Sequence, residues 1–310
     1  MSSIRWPPDF KRMKLFSRIF LGFVKLFGRL PWWIIYSKSS VWAFFLAYLI
    51  RYRRGVVLAN LGRTGAGNIS IYKIYLNLMD LALESTKLFT ASLKEVDQRL
   101  RYKNPQVLED LYSRGLNVVL VGGHLANWEM FALSMPNRFK HKTCAIYKKL
   151  NNSVFDEAIK KSRSRAGMEI MEMNECRDWL TQNNETPVLC SLIFDQSPRN
   201  PNHAYWTHFL GVETPIYPGV EKFAQRMNAA VVYASIERIG RGRYEMSFKL
   251  IEEDIHFIAR GEVIEKCCAK LEEDIVANPE SWLWTHRRWK HKRPSNVKLH
   301  ERNITKFEGW

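Results

Sequence analysis

The chain has 310 residues, of which 46% are hydrophobic and 25% charged, so it can bury a core and is not a disordered chain. Lysine and arginine outnumber aspartate and glutamate by 47 to 31, and the resulting net charge of +16 requires an anionic partner. The five cysteines are scattered, without a C-x-x-C pair or a zinc-like Cys/His spacing, so we predict a reducing compartment, no metal and no cofactor.

Two apolar segments open the chain, between residues 14 and 50. Lys14, Arg18, Lys25 and Arg29 lie on one face of the first segment, and its apolar stripe consists of Phe16, Ile19, Phe20, Phe23, Val24 and Phe27. This composition is typical of a helix that lies in a bilayer interface, and Pro31 ends or kinks it.

The second apolar segment runs from Val41 to Ile50 and is too short for the ~20 residues of a spanning helix. We therefore predict that residues 1–54 form an interfacial or monotopic anchor on an anionic membrane surface. Ordinary core helices are the alternative interpretation of the same pattern.

Strand and helix patterns alternate through the rest of the chain, after a predicted helix over residues 67–92. The predicted strands are 117–121, 143–147, 168–173, 187–194, 230–236 and 244–250. The predicted helices are 125–135, 155–165, 218–228 and 263–276, with a helical turn or two at 176–181. This alternation predicts an α/β fold with a central, mostly parallel sheet flanked by helices. We expect one domain over residues 55–295 and a tail over 296–310.

The strand at 117–121 runs directly into Gly122, Gly123 and His124. Two glycines let the backbone turn sharply and a substrate approach closely, at the sheet edge where α/β proteins present functional groups. Glu129 lies five residues further on, ~140° around an ideal helix, so it reaches His124 only if the histidine precedes the helix. We predict that Glu129 orients the imidazole, whose other nitrogen takes a proton from a hydroxyl. No serine or cysteine flanks this pair, so we expect direct attack by the substrate hydroxyl.

The stretch Gly122-Gly-His-Leu-Ala-Asn-Trp-Glu129 resembles the lysophospholipid acyltransferase superfamily, whose signature is His, four residues, then Asp or Glu. More closely, the chain resembles the lipid A biosynthesis acyltransferase branch of that superfamily. The longest and most specific match is Pro279-Glu-Ser-Trp-Leu-Trp-Thr-His-Arg-Arg-Trp-Lys290. Shorter matches are Ile146-Tyr-Lys-Lys149, Arg163-Ser-Arg165 with Gly167, Phe194-Asp-Gln-Ser197, Phe209-Leu-Gly211, Thr214 and Pro218-Gly219.

The resemblance implies an O-acyltransferase on the cytoplasmic face of a bacterial inner membrane. It would move a fatty acyl group from an acyl carrier protein thioester to a hydroxyl of a lipid A precursor, with His124 as general base and Glu129 as its orienter. The implied substrate-binding residues are Arg163, Arg165, Asp195 and Asn127. An acidic carrier protein and a phosphorylated glycolipid acceptor both suit the charge of +16.

Ser197 and the segment Pro198-Arg-Asn-Pro201 depart from the branch's usual pattern. They leave another glycolipid, an amino-acid lipid or a lysophospholipid as alternative acceptors. A thioesterase or a non-catalytic relative is a further alternative. Basic residues mixed with aromatic ones also suit nucleic acid, but no nucleic-acid motif occurs, so we predict no such partner.

Three features near the carboxyl end have open interpretations. The Trp282, Trp284 and Trp289 cluster is expected to serve packing or a membrane interface. Arg287 and Arg288 are expected to bind phosphate or to face solvent, and His286 is interpreted as a hydrogen-bonded core residue.

Overall fold

The computed structural model describes residues 9–172, 185–301 and 310. Its α-helices are α1 (Asp9–Gly28), α2 (Trp32–Phe44), α3 (Arg54–Thr64), α4 (Ile71–Leu88), α5 (Leu93–Asp97), α6 (Gln106–Ser113), α7 (Phe131–Arg138), α8 (Ser153–Ser164), α9 (Gly219–Met227) and α10 (Glu262–Ala277). Its strands are β1 (Leu100–Tyr102), β2 (Asn117–Gly122), β3 (Lys142–Tyr147), β4 (Glu169–Glu172), β5 (Val188–Ile193), β6 (Tyr205–Phe209), β7 (Val212–Ile216), β8 (Ala229–Gly240) and β9 (Arg243–Glu252). The predicted strand end at 173 and the predicted helical turns at 176–181 lie outside the described residues.

Seven strands form the central sheet in the order β1-β9-β8-β2-β5-β3-β4. Strands β8, β2, β5, β3 and β4 are parallel, whereas β9 runs antiparallel to β8 and pairs in parallel with β1. The central strand β2 is an apolar run with Val118–Val121 buried, as expected for a strand covered on both faces. The predicted α/β fold with a mostly parallel sheet is confirmed.

The described fold also contains elements that the sequence did not predict. Strand β1 has only three residues, and helix α6 has eight. Strands β6 and β7 form a separate antiparallel pair in which Trp206 lies opposite Pro215. Proline and the mixed polar composition of these two strands weaken the alternation by which strands are recognised.

The predicted helix at 125–135 begins later than expected. Residues 123–127 form a loop, Trp128–Met130 form a single 3₁₀ turn, and α7 follows from Phe131. Ala126 has a left-handed φ of 48°, and the Asn127 side chain accepts a hydrogen bond from the Glu129 backbone N–H. This local cap starts the helical segment at Asn127.

Helix α1 packs on the protein through a narrow face and exposes its aromatic stripe. Ser17 is buried, and a side chain at Gly28 would collide with the α4 backbone, so the two helices touch there. Phe16 is 71% exposed and Phe23 is 64% exposed. The stripe of α1 is therefore not part of the core.

Pro31 separates α1 from α2, as predicted. Helix α2 buries Ile35, Ser39 and Ala43 and continues into a π-helical turn, Phe45–Leu49. Among the described residues, no single helix has both the length and the apolar character needed to cross a bilayer. The segments Lys14–Gly28 and Trp32–Leu49 have both only when taken together, and they meet at a bend of 118°.

The carboxyl-terminal segment is packed on the body of the protein. Arg53 and Asn60 donate hydrogen bonds to backbone carbonyls between residues 284 and 286. In the tail, the backbone N–H of His300 donates to the Trp206 carbonyl, and the His300 ring stacks on Tyr205. These contacts join residues 53–60 to the 284–286 segment and residue 300 to strand β6.

Candidate active site

Sheet register brings His124 and Asp195 together. Strands β2 and β5 are parallel neighbours, and their last residues, Gly122 and Ile193, are partners. His124 and Asp195 each follow two residues after these strand ends, so they emerge side by side at the carboxyl edge of the sheet. His124 Nδ1 lies 2.6 Å from Asp195 Oδ1, and the His124 backbone N–H donates to Asp195 Oδ2 at 3.1 Å.

Asp195 is a buried carboxylate with several hydrogen-bond donors. Trp282 Nε1 donates to its Oδ2 at 2.8 Å, in addition to the two contacts with His124. Burial alone raises the pKa of Asp195, but the charge of His124 and these hydrogen bonds outweigh it and lower that pKa to about 2. Asp195 is therefore ionised at neutral pH.

The contact with Asp195 determines which nitrogen of the His124 ring carries the proton and which one accepts hydrogen bonds. An ionised carboxylate only accepts hydrogen bonds, so Nδ1 carries a proton, and Nε2 of the neutral ring is an acceptor. Nε2 lies 3.0 Å from the amide nitrogen of Gln196, an exposed side chain. The Trp128 ring packs edge-on against the imidazole at 4.7 Å between centroids. The arrangement presents a basic nitrogen at the protein surface.

The predicted contact between Glu129 and His124 is wrong in this structure. Glu129 accepts two hydrogen bonds from Arg163, at 2.9 Å from Nε and 2.6 Å from Nη2, and a third from Trp128 Nε1. The reason is the 3₁₀ turn, which directs Glu129 toward α8 while Asp195 occupies Nδ1 of His124. Glu129 reaches the histidine only through Trp128, whose ring contacts both.

The other predicted substrate-binding residues occupy different positions. Asn127 is fully buried, and its amide nitrogen donates to Glu84 Oε2 at 2.6 Å. Arg163 holds Glu129 close to the histidine. Arg165 donates from Nη2 to the backbone carbonyls of Leu88 and Ala91, at the end of α4, and burial lowers its pKa. The structure therefore brings Arg163 to the site and places Arg165 on a helix terminus.

The Gly122-Gly123 pair serves helix packing instead of a strained turn. Neither residue has a positive φ, and a Cβ on Gly123 would lie 2.4 Å from Leu271 Cδ1 of α10. The left-handed residue of this loop is Ala126, three positions later. The sequence predicted that a substrate approaches the glycines closely, whereas in the structure a side chain of α10 approaches Gly123.

The carboxyl-terminal motif forms one wall of the site. The backbone of residues 281–283 pairs with that of residues 124–126, because Leu283 N–H donates to the His124 carbonyl and Ala126 N–H to the Ser281 carbonyl. The two sequence stretches that carry the family resemblance therefore meet in space. The tryptophans at 282, 284 and 289 are buried and in mutual ring contact, which confirms their packing role.

His286 and Arg288 extend the site inward. His286 Nε2 accepts the Ser197 backbone N–H at 3.1 Å, and burial, followed by the nearby Arg288 charge, lowers its pKa to about 4. Arg288 is fully buried, contrary to the expectation that it faces solvent, and it donates to the Pro215 carbonyl at 2.9 Å. Burial lowers the Arg288 pKa to about 10.

A cleft leads from His124 along helix α4. Its accessible volume is about 10 Å³, roughly the room that one water molecule needs. Its walls combine apolar side chains of α4 and of the 281–285 segment with polar ones: Ile74, Leu78, Leu81, Trp282, Leu283 and Trp284 beside Asn77, Ser281 and Thr285. An adjoining depression is lined by Asp195, Gln196 and His286. The imidazole of His124 therefore borders a narrow cleft of mixed apolar and polar character.

Sequence reasoning missed three participants: Gln196, Trp282 as a donor to Asp195, and Glu84. Gln196 directly follows Asp195 and so carried a positional signal. Trp282 and Glu84 carried no such signal, because their contacts depend on chain segments far from the His124 loop. In the part of the chain that the structure describes, no three His, Cys, Asp or Glu side chains are grouped to hold a metal ion.

Fold and site together define the class of protein: an α/β protein with a histidine–aspartate pair at the carboxyl edge of its sheet, beside a narrow cleft. The family model described as bacterial lipid A biosynthesis acyltransferase matches residues 67–291. This match covers more than two thirds of the chain, and the protein belongs to that family, whose activity is acyl transfer. No curated protein matches the chain.

Proposed function

We propose that the protein transfers a fatty acyl chain from an acyl carrier protein thioester to a hydroxyl of a lipid A precursor. The observation that carries the proposal is the His124–Asp195 contact, in a chain of the lipid A biosynthesis acyltransferase family. The charge of +16 supports both an acidic carrier protein and a phosphorylated acceptor.

In the proposed mechanism, His124 Nε2 takes the proton of the acceptor hydroxyl while Nδ1 keeps its hydrogen bond to Asp195. The acceptor oxygen forms a bond to the thioester carbonyl carbon, and the carbon–sulfur bond then breaks. The proton held on the imidazolium passes to the departing thiolate of the carrier. Asp195 stabilises the imidazolium between these two steps, because it is ionised and buried beside it.

Gln196 and Glu129 have supporting roles in this proposal. The Gln196 amide faces Nε2, where the acceptor hydroxyl would bind, and its exposed side chain is free to give way. Glu129 holds Arg163 and Trp128 around the histidine, so it acts on the shape of the site instead of on the imidazole nitrogen. Arg163, which is ion-paired with Glu129, brings a cation to this arrangement for an anionic part of the substrate.

We further propose that α1 and α2 place the cleft at an anionic membrane surface, on the cytoplasmic side of the inner membrane. Besides the exposed aromatic stripe of α1, helix α2 and the residues after it also expose apolar side chains, among them Trp33, Trp42, Phe44, Leu49 and Ile50. Exposed rings beside lysine and arginine favour the headgroup region of a bilayer. The alternative of ordinary core helices requires these side chains to be covered.

The direct test is acyl transfer by the purified protein. Fatty acyl chains loaded on acyl carrier protein are offered together with a purified lipid A precursor, and the lipids are analysed by mass spectrometry. The proposal expects a product one acyl chain heavier and none from a folded His124→Ala variant. Release of free fatty acid without lipid product would instead indicate a thioesterase, and product only with a lysophospholipid or another glycolipid would replace the acceptor.

A further inference from the structure

A buried glutamate outside the site connects three elements to the loop that carries the histidine. Glu84 of α4 is 0% exposed, and burial raises its pKa. It accepts hydrogen bonds from Asn127 Nδ2 at 2.6 Å, from Tyr244 Oη of β9 at 2.7 Å and from Tyr36 Oη of α2 at 3.0 Å. The loop, the sheet and the anchor helix α2 all meet at this one carboxyl group.

Glu84 and the Glu129 backbone N–H together fix which way the Asn127 amide points. The NH₂ group of Asn127 donates a hydrogen bond to the Glu84 carboxyl group. The opposite atom, Asn127 Oδ1, then faces the Glu129 backbone N–H and accepts from it at 3.0 Å. Since Ala126 is left-handed, this loop has no helical hydrogen bonds of its own to hold it before the 3₁₀ turn.

We propose that Glu84 is a positioning residue for the reaction: through Asn127 it holds the loop between His124 and Glu129 in its reactive geometry. The inference rests on the proposed acyl transfer. Glu84 does not touch the imidazole, so its effect passes through the loop backbone. The same carboxyl group also accepts a hydrogen bond from α2. Glu84 therefore connects the histidine loop to the part of the protein that is proposed to contact the membrane.

The neighbouring acid Asp80 provides a matched control. It lies one helical turn before Glu84, is also 0% exposed, and accepts hydrogen bonds from Ser39 of α2 and from Arg238 and Arg241 of the β8–β9 hairpin. Asp80 thus joins α4 to the same elements, but its hydrogen bonds in the described structure go to these three residues and not to the histidine loop.

The experiment compares kcat, KM for the acceptor and melting temperature for Glu84→Gln, Asn127→Asp, the double variant and Asp80→Asn. In Glu84→Gln the amide no longer dictates the Asn127 orientation, so we expect kcat to fall about 10-fold to 100-fold with little change in KM. The double variant exchanges acid and amide, restoring a donor opposite an acceptor, and we expect its kcat to return to within about threefold of the wild type.

Asp80→Asn should lower the melting temperature while its kcat stays near the wild-type value. Two outcomes would show that Glu84 has a purely structural role and would overturn the inference. In the first, Glu84→Gln lowers only the melting temperature. In the second, the double variant is slower than either single variant. Absence of acyl transfer by the wild-type protein would instead refute the proposed function, so the two failures are distinguishable.

Discussion

Asp195 takes the place that sequence spacing assigned to Glu129. Both His124 and Asp195 were recognisable as residues just past strand ends, and only the register of β2 against β5 shows that they face each other. Five-residue spacing suggested a local partner, because a chain-local contact is all that spacing can indicate. The partner came from 71 residues away.

A second histidine predicts how stability depends on pH. Burial lowers the pKa of His141 to about 4 from an ordinary 6.5, so the folded protein holds it neutral. The unfolded chain binds this proton at a higher pH than the folded one. The contribution of the neutral His141 to the unfolding free energy is therefore complete above pH 6.5 and is lost as the pH falls from 6.5 toward 4.

At pH 5 this difference amounts to about 2 kcal/mol of unfolding free energy. His141→Phe should therefore lose less stability than the wild type between pH 7.5 and pH 5, as measured by urea denaturation at both pH values. His203→Gln, at an exposed position, serves as the control and should follow the wild type. An equal loss of stability in His141→Phe and the wild type would exclude the buried neutral histidine.

At the scale of elements, sequence periodicity identified the sheet strands well and the connecting pieces poorly. Strands β2, β5 and β8 and helices α4, α8, α9 and α10 agree with their predicted ranges within a few residues. Continuous apolar runs mark these strands, and apolar residues at helical spacing mark the helices. The start of the helix after His124 was misplaced, since one left-handed residue and one side-chain cap decide it. The side chain of Asn127 also donates to the buried Glu84, which lies 43 residues earlier in the chain and so outside any local pattern.

Arg165 illustrates an element-scale role for a residue that sequence resemblance assigned to substrate binding. Its guanidinium covers carbonyls at the end of α4, where helices leave acceptors unpaired. We expect Arg165→Ala to lower the unfolding free energy by about 1–2 kcal/mol, measured by urea denaturation. Lys161→Ala, an exposed position on α8, should change it by less than about 0.5 kcal/mol. Equal stabilities of the two variants would argue against the helix contact.

At the scale of the whole molecule, the protein combines a surplus of positive charge with amino-terminal helices that expose apolar side chains. The sequence predicted a helix lying in a membrane interface, and the structure leaves the stripe of α1 uncovered, with Phe16 and Phe23 more than half exposed. Net charge alone does not identify the partner, because a lipid surface and a soluble anion both satisfy a net charge of +16, and the carrier protein and the acceptor follow only from the family resemblance.

Replacing Phe16 and Phe23 with aspartate should weaken binding to anionic phospholipid vesicles by about tenfold or more per side chain, because each buried ring contributes about 1.5–3 kcal/mol. Sedimentation with vesicles of defined anionic content measures the effect. Phe257→Asp makes the same change at a ring that is 89% exposed far along the chain from α1. Equal weakening by both replacements would show that general charge, and not the α1 stripe, governs binding.

In the proposed reaction, Asp195 orients and stabilises the His124 imidazole during acyl transfer. The measurement is kcat of Asp195→Asn in transfer from acyl carrier protein to a lipid A precursor, with folding checked by melting temperature. An asparagine can donate to Nδ1 and favour the wrong tautomer, so we predict a loss of roughly 10³-fold or more with a small change in KM. A folded Asp195→Asn enzyme with kcat within about threefold of the wild type would contradict this role of Asp195.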